Sequence, residues 1–181
     1  MRIGKNTNRY EMRRIRKLFT SLKKYSDQER DILSTVEQYG WLFRFVFDAD
    51  GEDPDFGYSV GFTKSLDAPE FIVFGLQKDL MHHMLGEVYH QMESGRRPED
   101  GMQWDDLLEG FQCISRKAIR RDLHTKYTTA ADWLWRDSGN KGEPEVYQLV
   151  WPGAQQGLFP WEEGCQKNVI DLQPHLWDQL D

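Results

Sequence analysis

The side chains that could do chemistry are few and widely spread. Cys113 and Cys165 are the only cysteines of the 181 residues, and no Cys-x-x-Cys pair is present. A nucleophilic thiol needs a nearby base and a lowered pKa. Cys113 falls in a strand-like run, and Cys165 follows Glu162 and Glu163, whose charges would raise a thiol pKa rather than lower it. His82, His83 and His90 invite a metal reading. His83 and His90, however, lie about 10 Å apart along a helix axis, and His82 and His83 point in different directions. Asp48, Asp50, Glu52, Asp53 and Asp55 crowd one connector with an Asp-x-Asp-Gly start, superficially like a calcium loop. The expected closing Glu is missing and strands flank the loop, so a solvated hairpin connector is the plainer reading and no metal is expected. A phosphate-cradling Gly loop and His-Glu-x-x-His are both absent.

What is left is a set of aromatic and polar residues on two segments. Tyr58 and Thr63 belong to Gly57-Tyr-Ser-Val-Gly-Phe-Thr63, in which Tyr58, Val60 and Phe62 alternate with Ser59, Gly61 and Thr63. One face of that strand is apolar and the other is made only of small residues, which lets a helix, another chain or a ligand approach the backbone. Close packing by a helix is the simpler explanation. Trp151, Phe159, Trp161 and Glu162 lie in or near a late loop, Gly157-Leu-Phe-Pro-Trp-Glu-Glu-Gly164. Two aromatics around a proline make either a rigid shelf for docking or a plug over the open end of a sheet. The expectation is that Trp161 folds back on the small-residue face, with Glu162 close to Thr63. Tyr58, Thr63, Trp151, Phe159, Trp161 and Glu162 are therefore the candidate pocket or docking residues. A flat ring such as flavin would suit small residues beside aromatics, but nothing specific supports it and no cofactor is expected.

The elements that must position these residues are legible from periodicity. Ser26-Asp-Gln-Glu29 has the form of a capping box and opens a helix that buries Ile32, Leu33 and Val36, with Tyr39 as a further candidate, and stops at Gly40. Trp41, Phe43, Phe45 and Phe47 alternate with Leu42, Arg44 and Val46 as a strand, which the acidic connector returns as an antiparallel neighbour. Glu70-Phe-Ile-Val-Phe-Gly-Leu76 has no polar face and suits a central strand covered on both sides. Residues 79–94 form the clearest helix, with Leu80, Met81, Met84, Leu85, Val88, Tyr89 and Met92 as its stripe. Residues 95–106 read as a polar linker, 110–116 as a strand, 117–136 as a helix with a break near Thr128, and 145–151 as the last strand.

Tyr58-Ser-Val-Gly-Phe-Thr63, Pro69-Glu-Phe-Ile-Val-Phe-Gly-Leu76, Gln148-Leu-Val-Trp-Pro152 and Gly157-Leu-Phe-Pro-Trp-Glu162 resemble, in order, the blocks of a bacterial family known as domain of unknown function 4262. The resemblance runs over residues 39–174. It departs from the family pattern at Gly153, where members often carry an acid. It implies a single α+β unit and carries no activity, catalytic residue or cofactor.

Seven Trp, seven Tyr and ten Phe, with 29% charged residues, describe a soluble chain with material for a real core. No run reaches the roughly 20 apolar residues of a membrane span, and the N-terminus has no secretory pattern. With two isolated cysteines, a cytoplasmic location is expected. The net charge of −7 is uneven: residues 1–30 carry ten Lys and Arg against Glu11, Asp27 and Glu29, a net +7 that leaves −14 elsewhere. Met12, Ile15, Leu18, Phe19 and Leu22 make an apolar stripe within that basic arm. The arm can reach for nucleic acid or an acidic partner, or dock on its own body.

The expected architecture is α+β: a mostly antiparallel sheet of about five strands covered by helices over residues 26–181, with a basic N-terminal helical extension over 1–25. The leading expectation for function is a protein-interaction module that binds an immunity or regulatory partner. The alternative is a small enzyme or ligand-binding protein with a pocket between the central strand and the Phe-Pro-Trp-Glu loop. Nucleic-acid binding is expected only through the basic arm, because the acidic body repels phosphates.

Overall fold

A computed structural model describes residues 25–178 apart from Asp50 and Glu52. The stripe of residues 10–22 and most of the basic extension lie outside the described residues. The first helix, α1 (Asp27–Tyr39), has the anticipated start, although Tyr39 in its last turn is exposed rather than buried. Ser26 Oγ accepts from the Glu29 backbone N–H while Glu29 accepts from the Ser26 N–H, and Gly40 closes the helix at φ 84°.

Strands β1 (Leu42–Val46) and β2 (Phe56–Val60) form the hairpin, in antiparallel register from Leu42–Val60 to Val46–Phe56. One helical turn, α2 (Phe62–Ser65), leads to β3 (Glu70–Phe74), and α3 (Lys78–Glu93) follows. Next come β4 (Gln103–Leu108), β5 (Phe111–Lys117), a π-helical turn (Leu123–Tyr127), α4 (Thr129–Asp137), β6 (Val146–Val150) and the short α5 (Lys167–Asp171). The order across the sheet is β1-β2-β3-β6-β5-β4.

The class is α+β, as expected, with two refinements. The sheet has six strands, and its central pair, β3 and β6, is parallel while the other neighbours are antiparallel. The extra strand is β4, in the stretch read as a linker. Trp104 and Leu107 both point inward although they are three residues apart, because a bulge with Asp106 at φ 63° interrupts the alternation.

The second correction concerns residues 117–136. Strand β5 persists to Lys117, and the chain then stays non-helical because other segments hold its backbone. The Ala118 N–H donates to the Val146 carbonyl, and the Ile119 and Arg120 N–H groups donate to that of Leu176. Helix resumes only at Thr129. The anticipated break is therefore a strand end, an irregular passage and a π turn.

The sheet has a core on each face. Helix α3 covers one, with Met81, Met84, Leu85, Val88 and Met92 on Phe71, Val73, Tyr147 and Leu149; Trp41, Phe43 and Phe45 join them from the hairpin. On the other face, α1 and α4 cover Phe56, Tyr58, Val60, Ile72 and Phe74. β3 is buried along its whole length, the central strand that its unbroken apolar run implied. Among the described residues, no helix is long and apolar enough to cross a membrane.

Candidate functional site

The small-residue face of β2 is filled from within the fold, and by side chains other than Trp161. At Gly57 an added Cβ would lie 2.7 Å from Phe43 Cζ and 3.5 Å from Met81 Cβ, so the hairpin partner and α3 fill the space. Ser59 next to it is fully buried and turned toward Glu70. This is the close packing that the small residues allowed.

Glu70 is a fully buried acid. Its Oε2 accepts from Ser59 Oγ at 2.5 Å; its Oε1 accepts from the Gly61 N–H at 2.8 Å, the Thr63 N–H at 3.2 Å and Thr63 Oγ1 at 2.9 Å. Ser59 Oγ in turn accepts from the Phe71 N–H at 2.9 Å, just beyond the last β2–β3 pair at Tyr58–Ile72. The carboxyl group serves the free amides of α2 as a capping side chain would. Complete burial pushes its pKa up, and the four donated bonds pull it back without cancelling the rise. Sequence reading took Glu70 for part of a strand. An acid at the head of an otherwise apolar run was the available signal.

The six candidate residues do not share one cavity. Tyr58 lies under α4, its hydroxyl accepting from the Ala130 N–H at 3.4 Å and its pKa raised chiefly by burial. Trp151 belongs to the core on the opposite face, its indole N–H donating to the Phe74 carbonyl at 2.8 Å. Thr63 is spent on Glu70, and it edges a shallow hollow of about 160 Å3 with Asp67, Pro69, Trp135 and Glu145.

Only Phe159, Trp161 and Glu162 act together. Their loop buries Pro160 and turns Trp161 outward, 41% exposed. The Phe159 and Trp161 rings stack with centroids 4.9 Å apart and planes within 1°. Glu162 Oε2 accepts from the Phe159 N–H at 2.7 Å, and the Glu162 N–H donates back to the Phe159 carbonyl at 2.9 Å. The Gly153 N–H donates to the Leu158 carbonyl at 2.8 Å, and a Cβ at Gly153 would sit 3.1 Å from Val169 Cγ2. Gly153 is thus part of the loop's tight base.

The expected fold-back of Trp161 onto the Tyr58–Thr63 strand is corrected accordingly. Its ring meets that of Trp177 edge-on at 5.6 Å, with His175 stacked behind Trp177 at 4.5 Å. The Arg116 guanidinium lies 5.4 Å from the Trp161 ring and 5.3 Å from that of Trp177. Asp100 holds Arg116 Nε at 3.0 Å. Burial alone would raise the Asp100 carboxyl, but the Lys117 N–H and the Arg116 guanidinium hold it below the usual value. Sequence reading missed Arg116, His175 and Trp177; the pattern His175-x-Trp177 near the C-terminus was their only trace.

Neither thiol is poised to react. Burial pushes Cys113 up to about 12, and burial with the Glu162 charge raises Cys165. Among the described residues, no three His, Cys, Asp or Glu side chains cluster as a metal site would.

A family model described as "Domain of unknown function (DUF4262)" matches residues 35–166, well over half of the chain. The chain belongs to the DUF4262 family. Glu70 and the Phe159–Glu162 loop fall within the matched DUF4262 region, while His175 and Trp177 fall beyond it. A stretch of 65 residues is 34% identical to catalase-peroxidase 2 of Burkholderia vietnamiensis (strain G4 / LMG 22486), covering 36% of this chain and 8% of that protein. So small a share of a long enzyme carries no peroxidase activity across to this DUF4262 chain. No solved structure matches it.

Proposed function

We propose that this DUF4262 protein is an interaction module that binds another protein through the shelf made by Phe159 and Trp161, with Trp177 and Arg116 as its flank. The observation that carries the reading is the outward Trp161 ring, held flat on Phe159 by a loop whose backbone is fixed at both ends. Large aromatics and arginine dominate the binding energy of protein interfaces, and rings held in place before contact lose little freedom on binding. Glu162 spends one carboxylate oxygen on the Phe159 amide, which suits a structural role better than a catalytic one.

The test is native mass spectrometry of the protein purified at its own expression level from its own host. A stoichiometric protein partner is expected with the wild type, and it is expected to be lost in Trp161→Ala and Phe159→Ala. Because Trp161 is partly exposed, its truncation should cost about 1 kcal/mol or less in urea denaturation. A wild type that carries a small molecule and no protein, or a partner retained by both variants, would overturn the reading.

A further inference from the structure

The described chain begins beside a groove. Between α1, the hairpin and α4 lies a hollow of about 390 Å3 with Ile32, Val46, Tyr58, Ala130 and Trp133 on its walls. It continues past Thr129 and Trp133 into a second hollow of about 550 Å3, bordered by Asp132 and Asp137 with His124 and Arg136. Arg44 lies on the first wall, and Arg136 is tied to Asp132 Oδ2 at 2.5 Å. Asp132 Oδ1 is buried with no hydrogen-bond partner. Tyr25 sits at this junction: its ring meets Trp133 edge-on at 6.0 Å, and its hydroxyl contacts both Asp137 carboxylate oxygens at 3.0 and 3.1 Å.

Residues 1–24 carry nine Lys and Arg against the single acid Glu11, which leaves 14 against 29 Asp and Glu in the rest of the chain. Leu22, the last member of the apolar stripe, is three residues from Tyr25. Three peptide steps span about 11 Å at most, a separation that puts the groove beside Trp133 within reach of the stripe. Five apolar side chains in helical spacing would need cover in water. The half-apolar groove at the point of entry offers it, and the acidic body favours the basic face.

We propose that residues 10–22 fill this groove of their own chain, with Met12, Ile15, Leu18, Phe19 and Leu22 against Ile32, Val46 and Trp133. The groove is then a seat for a basic amphipathic helix, occupied in cis.

Limited trypsin digestion of the full chain tests this, because the arm holds nine cleavage sites. Cleavage before Tyr25 should be at least about tenfold slower in the wild type than in Phe19→Asp, which removes the apolar anchor, or in Thr129→Lys. Thr129 is exposed where the two hollows meet, so the added charge repels the arm without entering the core. A fluorescein-labelled peptide of residues 1–24 should bind the Phe19→Asp protein and leave the wild type, whose seat is filled, unbound. Equal cleavage rates in all three proteins would overturn the proposal. Slow cleavage that Thr129→Lys leaves unchanged would also overturn it, by moving the arm elsewhere. Protection that disappears on dilution would replace the cis arrangement with exchange between two copies.

Discussion

At the scale of single residues, Glu70 is the group whose chemistry most affects the protein. Its carboxyl is raised above the ordinary value of 4.5 by burial, so the folded chain holds this proton more tightly than the unfolded one. Its contribution to stability is therefore complete below that ordinary value and is lost as pH rises through the folded value. Glu70→Gln keeps the shape and removes the titration. Urea midpoints measured at about pH 5 and about pH 8 should move in favour of the glutamine variant at the higher pH. A gap that does not change with pH would mean that the carboxyl is not raised. Glu70→Ala instead strips the acceptors from Gly61, Thr63 and Ser59 and should cost about 3 kcal/mol or more.

At the scale of elements, the fit of α3 against the hairpin depends on Gly57. A methyl group there would press on the Phe43 ring and touch Met81 Cβ. Gly57→Ala should lower stability by about 1–3 kcal/mol, the usual cost of overpacking, measurable by thermal or urea denaturation. A stability gain would mean that Phe43, on an edge strand, swings aside freely. The opposite edge is guarded differently. β4 carries Asp105 and Asp106 and a bulge, features that discourage another chain from adding a strand.

At the scale of the whole molecule, the C-terminal segment straps the far half of the sheet. Gln173 exchanges hydrogen bonds with the Trp151 backbone at 3.0 and 2.9 Å. The Leu176 N–H donates to Gln148 Oε1 at 3.0 Å, and its carbonyl accepts from Ile119 and Arg120. Leu176 itself is fully buried between α4 and the sheet. Leu176→Ala should cost about 2–5 kcal/mol with one cooperative transition retained. The same strap brings Trp177 to Trp161, so the variant should also loosen the shelf, visible as increased quenching of tryptophan fluorescence by iodide. A cost below about 1 kcal/mol would mean that the strap is an appendage. The segment lies outside the matched DUF4262 region, yet it completes the core of this chain.

The sequence by itself determined the local elements wherever one periodicity and one capping signal agreed. The Ser26 capping box, the Gly40 stop, the aromatic alternation of β1 and the Met-rich stripe of α3 are short-range features, written in neighbours along the chain. The small-residue face of β2 was legible too, as a surface awaiting a close neighbour. Tertiary structure decided the neighbour: Phe43 and Met81 rather than Trp161. It also decided the fate of residues 118–122, whose helical pattern gives way because Val146 and Leu176 hold their amides. β4 escaped detection because a bulge breaks the period on which detection rests. The shelf was half legible, since Phe159, Trp161 and Glu162 are close in sequence. Arg116 and Trp177 come from segments 45 and 16 residues away from Trp161, and only the packing of β5 and the C-terminal strap brings them to it.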